Sequence, residues 1–397
     1  MARKKTHFLI GTRWFGVLGP CQLIIDALTE QGYEVFVFGQ EDSHYKRYDS
    51  GKARLVRINM ARSYTAFLSD FLDVVKLGYY MLRYRPDGVH SFNPKPALLS
   101  WAAVSLRPKT KFFIGVTGLG NTFIRAKRME GMITRLLRGA CKRASFVFFQ
   151  NRDDVALFRE KKIIEEDKIR MFIGPGVDLR LFRPESLPQP RADGPIIVTC
   201  TARLIWQKGI REYVEAARMV KEHYEGEREV TFRLIGEVDH DHPDCIDEGF
   251  LQDAVAEGLV EHVSWTDDIV SELAKSDIFV LHSYREGAPR AILEASALCI
   301  PTVGADAIGV RELVEDGETG YLTPLKEARP IADAIIDLID NPERRVAMGQ
   351  AARRKIAEPF SLSASSDAQC GMYRDVGYAL PPIEPLPVET LEFEPAE

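Results

Sequence analysis

The sequence has no uninterrupted apolar run that approaches 18 residues, so we expect no part of it to cross a membrane as a helix. Its basic start is followed by only three apolar residues, 8–10, and soon by Arg13, which is typical of a first strand rather than of a secretory signal. The six cysteines have neither paired spacing nor a metal-binding cluster, which indicates reduced thiols in a cytoplasmic protein. With 45% hydrophobic and 28% charged residues, the 397-residue chain is neither disordered nor fibrous and can form two globular domains.

Charge is distributed unevenly along the chain. Residues 1–190 contain 32 Lys and Arg against 18 Asp and Glu, whereas the remaining residues contain 20 against 40. Segregation of this kind does little for folding, but it orients a molecule towards an anionic partner.

Short apolar runs alternate with helical patterns along most of the chain, which predicts βαβ units and parallel sheets. Between the strands predicted at 54–58 and 88–90, a long helix ends before Pro86 and carries apolar residues at helical spacing. These residues are Tyr64, Phe67, Leu68, Phe71, Leu72 and Val75. We expect this face to pack on the core, and a surface for an acceptor or for lipid is the alternative.

The Pro-rich and polar residues 187–195 predict a linker between two α/β domains. We assign residues 1–186 to the first domain and 195–358 to the second. A further helix is predicted over 361–378, and the Pro- and Glu-rich residues 380–397 are predicted to form a disordered tail.

The stretch 283–297 joins an apolar strand at 278–281 to a helix that starts at Pro289, whose fixed φ suits a first helical turn. A helix N-terminus carries unpaired N–H groups and a partial positive charge, which favour an anion or sugar hydroxyls. Glu286 lies in the loop. Glu294 lies within the helix among small and apolar residues, where an ionised carboxylate is costly unless another group bonds to it. Either these glutamates bind a ligand, or Glu294 is a surface residue of an ordinary amphipathic helix.

A second loop of this type follows the strand predicted at 195–201. Arg203 and Lys208 lie five residues apart in it, ahead of Gly209 and a helix. Both can reach one diphosphate, the arginine through two parallel hydrogen bonds and the lysine as a point charge. If only their spacing is considered, the alternative is that Arg203 and Lys208 are ordinary charged loop residues exposed to solvent.

The pattern Glu286-x7-Glu294, with Gly-x-Pro-Arg at 287–290, resembles the signature of the retaining family-4 glycosyltransferases of the GT-B fold. Arg203-x4-Lys208-Gly209 is similar to the diphosphate-binding loop of that family. The resemblance extends from residue 1 to about residue 378 and is most specific in the second domain. It implies two Rossmann-like domains that face a central cleft, with the helix over 361–378 crossing back to the first domain.

The resemblance also implies roles for individual residues. Glu294 would bind the ribose of a nucleotide-sugar donor, while Glu286 and the loop after it would surround the transferred sugar and its phosphates. The implied catalytic residues are Arg203, Lys208 and Glu286, and the implied donor-binding residues are Gly16, Gly236, Glu286, Gly287, Ala288, Pro289, Arg290 and Glu294.

On the acceptor side, the resemblance points to His90 at the end of a strand and to Thr117 and Gly118 after the strand at 112–116. A purely structural histidine is the alternative for His90. Many relatives carry a histidine directly after the strand at 112–116, close to the reacting carbon, and this chain has none. That departure argues against a histidine-assisted mechanism and makes the glycine-rich loop the expected wall of the acceptor site.

We expect neither a metal ion nor another cofactor. Residues 239–242, Asp-His-Asp-His, could hold a metal by residue type, and Asp-x-Asp is similar to the metal motif of the other main glycosyltransferase fold. The run lies in a polar loop without metal-ligand spacing, however, and Arg203 and Lys208 already supply the positive charge that a metal would provide.

The resulting hypothesis is a metal-independent, retaining glycosyltransferase with a donor that we expect to be UDP-linked. Relatives with Arg-Glu-Gly-x-Pro-Arg act on lipid-linked or polysaccharide intermediates, which implies such an acceptor. A sugar-nucleotide epimerase of the same fold and a non-catalytic nucleotide-sugar-binding subunit are the alternatives.

We expect a peripheral position on the cytoplasmic face of the cell membrane and no nucleic-acid partner. The basic N-terminal domain would dock on anionic lipid, in part through a helix over 128–143 whose apolar face packs on the core. The basic residues expected on its outer face are Arg128, Arg135, Arg138 and Lys142.

Overall fold

The computed structural model describes residues 4–42, 46, 51–60, 66–119, 130–172, 174–184, 194–240 and 242–386. The chain forms two compact units, one of Met1–Gly176 with Ser363–Pro385 and one that includes Val177–Leu362. The second unit therefore begins before residue 186, where we predicted the first domain to end. The reason is that Val177, Leu179 and Phe182 are buried in a core cluster of the second unit. Most of the predicted linker lies outside the described residues.

The first unit is built on a seven-stranded parallel sheet of order β3-β2-β1-β4-β5-β6-β7. Its strands are β1 (Thr6–Arg13), β2 (Glu34–Gln40), β3 (Ala53–Arg57), β4 (Gly88–Phe92), β5 (Lys111–Val116), β6 (Phe146–Phe149) and β7 (Ile169–Met171). Its helices are α1 (Phe15–Glu30), α2 (Phe67–Tyr84), α3 (Pro94–Val104), α4 (Glu130–Arg143), α5 (Arg152–Glu160) and, late in the chain, α12 (Leu362–Asp375).

Both faces of this sheet are buried, as expected for parallel strands connected by helices. The strand alternation sends Phe8 and Ile10 to a cluster that includes residues of α2, α3 and α4. Leu9 joins a second cluster, which includes residues of α1 and α12. Helix α12 thus completes the core of the first unit, although the sheet of the second unit precedes it in the chain.

The residues after α12 continue along the first unit. Tyr378 and Leu380 are buried in the same cluster as α12, and Ile383 packs against that cluster. The backbone N–H of Ile383 donates to the Asp367 carboxylate at 2.9 Å. The first residues of the predicted tail are therefore packed, and residues 387–397 lie outside the described residues.

The second unit contains a six-stranded parallel sheet of order β10-β9-β8-β11-β12-β13. Its strands are β8 (Ile196–Thr201), β9 (Val230–Ile235), β10 (Glu261–Val263), β11 (Ile278–Leu281), β12 (Thr302–Ala305) and β13 (Gly320–Thr323). Its helices are α6 (Ile210–Tyr224), α7 (Glu248–Ala256), α8 (Ile269–Ala274), α9 (Arg290–Ala297), α10 (Ala328–Asp340) and α11 (Pro342–Ala357).

Helix α2 departs from its predicted packing. Leu68, Phe71, Leu72 and Val75 are each more than half exposed, so the prediction that they form a core face is wrong. The opposite side of the helix, which includes Leu77 and Met81, is buried instead. Tyr64 and the side chain of Phe67 lie outside the described residues. No helix in the described part of the chain is both long and apolar enough to cross a membrane.

Candidate functional site

The predicted motifs of the second unit lie where the order of its strands reverses. β8 is the first strand of this unit in the chain, yet it lies between β9 and β11, so the connections from β8 and β11 leave towards opposite sides. In open parallel sheets, ligands bind outside the carboxyl ends of the strands at such a switch point. The loop with Arg203 and Lys208 follows β8, and the loop with Glu286 follows β11.

Lys208 and Glu286 meet at this switch point. Lys208 ends the 3₁₀ turn Trp206–Lys208, and its Nζ pairs with Oε1 of Glu286. Both side chains are largely shielded from solvent. The fold thus brings together two of the three predicted catalytic residues, which lie 78 positions apart in the chain.

Close backbone packing holds the two loops in register. The N–H of Tyr284 donates to the Gln207 carbonyl at 2.9 Å. Gly209 has a φ of +71°, and a Cβ added there would lie 2.2 Å from the His282 carbonyl oxygen. Only glycine allows both this left-handed conformation and this approach. Gly209 therefore fixes the distance between the two loops that carry the ion pair.

The Glu286 loop is supported from its other side as well. The backbone N–H of Glu286 donates to the Ile308 carbonyl at 2.9 Å. Gly309 has a φ of +84°, and a Cβ there would lie 2.6 Å from the carbonyl oxygens of Glu286 and Gly287. Gly309 was not among the predicted site residues, because its role depends on contacts between loops that are distant in sequence.

Arg203 is held by a carboxylate in this structure. One guanidinium nitrogen donates to Oδ2 of Asp239 at 2.7 Å, and the Asp239 side chain is only 8% exposed while that of Arg203 is about half exposed. Asp239 belongs to residues 239–242, which could hold a metal by residue type. In this structure its carboxylate instead positions Arg203, the arginine that we predict to bind a diphosphate.

Glu294 lies in the second turn of α9, which begins at Arg290, with Pro289 as its N-cap. Its side chain is 14% exposed, and its carboxylate lies 3.4 Å from the Arg290 guanidinium. Burial raises the pKa of the Glu294 carboxyl, and the charge of Arg290 opposes that rise. Among the other predicted residues of this loop, Gly287 and Pro289 are buried and Ala288 is half-buried.

His282, which the sequence analysis missed, directly follows β11 and is buried. Its Nε2 accepts a hydrogen bond from the Lys326 N–H at 3.2 Å, and its Nδ1 lies 3.3 Å from the Thr323 hydroxyl. The ring therefore ties the Glu286 loop to the segment after β13. The Lys326 ammonium lies 5.4 Å from the centre of the Tyr284 ring and adds a third cation to this part of the unit.

We expect acid to destabilise the second unit through His282. Burial lowers its pKa from 6.5 to about 4, and Glu212 acts weakly in the opposite direction. Between these values the unfolded chain binds more protons than the folded one, so the free energy of unfolding falls as the pH falls, by at most roughly 3 kcal/mol. Urea unfolding across this window should show a smaller loss in His282→Gln than in the parent. Equal losses would contradict the assignment.

Gly236 is required by the fold. It follows β9 with a φ of +149°, and a Cβ there would lie 1.8 Å from the Ala202 carbonyl oxygen. Its N–H donates to the Val263 carbonyl at 2.9 Å, and its own carbonyl lies 2.9 Å from Nε2 of His262. These contacts account for the glycine without a ligand, and its role at the nucleotide stays a prediction.

Gly16 lies in the first turn of α1. Helix α1 starts at Phe15 and includes Pro20, so Gly16 lies in a helix and not in a loop. The Phe15 N–H donates to the Asp42 carboxylate at 3.0 Å. A Cβ at Gly16 would meet no atom within 4 Å, so the first unit itself does not require a glycine there.

His90 is a core residue, which corrects its prediction as an acceptor-side residue. It is fully buried in β4, stacks on Phe92 and shares a hydrogen bond of 2.5 Å between its Nδ1 and the Tyr373 hydroxyl. Burial holds its pKa well below the ordinary value. A fully buried, neutral ring cannot contact an acceptor from this position.

Thr117 and Gly118 lie at the carboxyl end of β5 and are half-buried. The Thr117 hydroxyl donates to the Asn93 side-chain carbonyl at 2.8 Å. Asn93, the residue before α3, has a φ of +75°, an unusual conformation for a residue other than glycine. The next residues of the glycine-rich loop, from Gly120 on, lie outside the described residues.

No group of three or more metal-ligating side chains is present among the described residues, which do not include Asp241.

The strand orders of the two Rossmann-like units are those of the GT-B fold, as predicted, and the cationic loop at the switch point of the second unit is what a glycosyltransferase of that fold would require. Two family models match the chain: Glycosyltransferase Family 4 over residues 21–181, and Glycosyl transferases group 1 over residues 183–355. Together they span most of the sequence. The chain belongs to the family-4 type of these glycosyltransferases.

Similar curated proteins are bacterial glycosyltransferases. The chain is 27% identical to an N,N'-diacetylbacillosaminyl-diphospho-undecaprenol alpha-1,3-N-acetylgalactosaminyltransferase of Campylobacter jejuni, over 82% of this chain and 87% of the relative. It is 26% identical to the lipopolysaccharide core biosynthesis glycosyltransferase LpsE of Rhizobium meliloti, over 92% and 97%. The chain is thus an enzyme of the glycosyltransferase class, similar to proteins of bacterial glycan synthesis.

Solved structures share the fold. Sucrose-phosphate synthase from Thermosynechococcus elongatus has a TM-score of 0.76 at 20% identity and covers 94% of this chain and 99% of its own. Anabaena HepE in complex with UDP and glucose has a TM-score of 0.74 at 18% identity, over the same shares.

Proposed function

We propose that this enzyme transfers a sugar from a UDP-linked donor to a lipid-linked or polysaccharide-precursor acceptor at the cytoplasmic face of the membrane, with retention of configuration. The observation that carries the proposal is the Lys208–Glu286 pair at the switch point of the second sheet, next to Arg203 and the first turn of α9. The names of the relatives support it, since one refers to diphospho-undecaprenol and another to lipopolysaccharide core. A similar fold in complex with UDP supports the choice of nucleotide.

In the proposed reaction, the bond between the anomeric carbon and a diphosphate oxygen breaks, and a bond to an acceptor oxygen forms on the same face of the sugar. The acceptor proton passes to the departing phosphate oxygen. Negative charge grows on the diphosphate as this happens. Lys208, Arg203 and the first amides of α9 would stabilise that charge because they are already in position.

The carboxylates would have separate roles. Glu286 is paired with Lys208 in this structure and would contact the sugar once the diphosphate takes up part of the Lys208 charge. Glu294 would accept hydrogen bonds from the ribose hydroxyls, which would also compensate for its burial. Gly16, Thr117 and Gly118 remain proposed contacts of the donor and acceptor.

A screen of nucleotide sugars tests the donor. Slow hydrolysis of UDP- and GDP-sugars by the purified enzyme should be faster with a UDP-sugar, and the released sugar should be the α- or β-anomer that the donor carried. Preference for GDP would overturn the nucleotide assignment, and an inverted anomer would overturn retention. Conversion of the donor to an epimeric nucleotide sugar without acceptor would favour an epimerase.

We expect transfer to persist in excess EDTA. Arg203, Lys208 and Lys326 place three cations in the loops of the second unit around the switch point, so the diphosphate needs no metal for charge compensation. Rates measured with and without EDTA, and after back-titration with Mn²⁺, should agree within about twofold. Complete loss of transfer in EDTA, with recovery of transfer after Mn²⁺ is added, would contradict the expectation and would make Asp239 a candidate metal ligand.

The proposed docking on the membrane relies on exposed basic residues of the first unit. In α4, Arg135 and Lys142 are exposed and Ile133 and Leu137 are buried, as predicted. Met132 and Leu136 were also expected on the face packed against the core, but they are exposed, so that part of the prediction is wrong. Arg138 is also exposed, but its guanidinium donates to the carbonyls of Lys161 and Lys162 and supports the end of α5. Arg128 lies outside the described residues. Arg135 and Lys142 are therefore the residues of this helix with which to test electrostatic adsorption.

A further inference from the structure

Helix α2 presents a continuous apolar stripe to solvent. Leu68, Phe71, Leu72, Val75, Tyr79 and Leu82 are between 53% and 75% exposed. Their spacing of three and four residues places all six on one side of the helix. Large apolar side chains are scattered on most protein surfaces, but a row along four turns of one helix marks an interaction surface.

The stripe is not a by-product of loose packing, because the opposite side of α2 is well packed. Leu77 and Met81 are buried in the core of the first unit. Asp73 is buried and accepts hydrogen bonds from the N–H groups of Asn59 and Met60 at 2.9 and 2.8 Å. The helix is thus fixed in its rotation, and the stripe must face outward.

Both carboxylates of α2 are turned away from the stripe. Asp73 is buried, and the Asp70 carboxylate pairs with the ammonium of Lys95 at 2.8 Å, with both side chains largely shielded. The exposed charged residues of the helix and its C-cap are Lys76, Arg83 and Arg85. The outer surface of α2 is therefore apolar along its middle and basic at its margin.

The neighbouring helix extends this surface. α3 packs against α2 and against α4. Leu106, just after α3, is 53% exposed, and its Cδ1 lies 3.2 Å from the position of a Cβ at Gly78. Arg107 and Lys109 follow it and line one cavity together with Pro86 and Asp87, the residues just beyond α2. Arg107 and Lys109 therefore lie near the C-terminal end of α2, as does Asp87.

We propose that the α2 stripe inserts into the interfacial region of an anionic lipid bilayer, with Lys76, Arg83, Arg85, Arg107 and Lys109 at the level of the headgroup phosphates. The inference rests on the proposed function for its biological setting, since a lipid-linked acceptor requires the enzyme at the membrane. An amphipathic helix in this position buries its apolar side at the boundary of headgroups and acyl chains while its basic residues pair with anionic lipid. Adsorption by charge alone, as proposed for α4, would leave the stripe without a role.

A bilayer fits this surface better than a second copy of the chain does. Pairing two stripes face to face would bring Lys76, Arg83 and Arg85 of one copy close to the same residues of the other, and like charges at an interface are unfavourable. An anionic membrane neutralises these residues and accepts the apolar side chains together.

Vesicle sedimentation with the full-length enzyme tests the proposal. The vesicles are phosphatidylcholine with and without phosphatidylglycerol, at low salt and at about 1 M salt, where the screening length is about 3 Å. The parent should bind the anionic vesicles and retain part of that binding at high salt. The triple variant Phe71→Gln/Val75→Gln/Leu82→Gln should bind at least about tenfold more weakly at both salt concentrations. Arg135→Glu/Lys142→Glu should weaken binding at low salt only.

A matched control replaces exposed apolar residues elsewhere in the chain. Met171→Gln/Leu181→Gln/Val255→Gln removes side chains that are 42% to 60% exposed, and it should bind vesicles as the parent does. UDP affinity, measured by calorimetry, should be the same in all variants. Equal vesicle binding by the α2 variant and the parent, with UDP binding intact in both, would overturn the inference about the stripe. Failure of the parent and of all variants to bind UDP would count against the proposed function alone. If the parent dimerised without lipid and the α2 variant did not, the stripe would join two copies of the chain, and the inference of membrane insertion would also be overturned.

Discussion

Lys208→Ala is expected to lower kcat by roughly two to three orders of magnitude, the usual effect of removing one preorganised electrostatic partner of a transition state. Lys208 is shielded from solvent and held by the turn at Gly209, so its charge is fixed before the donor binds. A fixed charge costs no reorganisation when the diphosphate leaves. Donor affinity should change less than kcat, since the charge on the diphosphate grows during the reaction.

The control for this prediction is Lys275→Ala. Lys275 is also paired with a glutamate, Glu272, at 2.9 Å, but it is half exposed and lies after α8. It should retain the parental kcat. Arg203→Ala should resemble Lys208→Ala, whereas Asp239→Asn leaves the arginine in place and should have a much smaller effect. Parental kcat in both Lys208→Ala and Arg203→Ala would remove the electrostatic account of the site.

Glu294→Gln is expected to raise the dissociation constant of the donor by roughly 10- to 100-fold, the range for losing hydrogen bonds to a charged group. kcat at saturating donor should change little, because the ribose is remote from the bond that breaks. Burial raises the pKa of the Glu294 carboxyl, so donor affinity should also fall as the pH is lowered towards that pKa, and this pH dependence should be absent in the variant.

Isothermal calorimetry with UDP measures this effect without turnover. Glu318→Gln, an exposed residue of the turn before β13, is the matched control and should bind UDP as the parent does. Normal UDP affinity in Glu294→Gln, together with loss of turnover, would reverse the assignment of roles between Glu294 and Lys208.

The strands of the second unit and the meeting of Lys208 with Glu286 were predictable because both depend on local patterns. Apolar runs such as 278–281 form buried strands, and strand-to-helix loops in a parallel sheet come together at its carboxyl edge. The sequence could therefore place Lys208 and Glu286 on the same side of the sheet. It could not predict that Arg203 pairs with Asp239, because that contact depends on how a polar loop without a regular pattern folds.

Predictions failed where a pattern allowed two packings. The apolar residues of α2 have helical spacing, but Leu77 and Met81 offer the core a second apolar side, and periodicity does not decide which side is covered. His90 was misassigned because it lies near a strand end, where a side chain can face either a ligand or the core. Its burial depends on Tyr373, which belongs to α12 and lies 283 positions away.

The contribution of α12 to the first unit has a consequence for synthesis on the ribosome. Residues 363–385 complete a core that begins with β1, and His7 and His90 bond to Tyr378 and Tyr373 of that segment. The second unit, by contrast, has all of its sheet within one continuous span, Val177–Leu362. The half of the protein that emerges first must therefore wait for almost the entire chain to be translated, and the half that emerges second can be the first to reach its native state. Contacts of such long sequence separation make the first unit the slower of the two to fold.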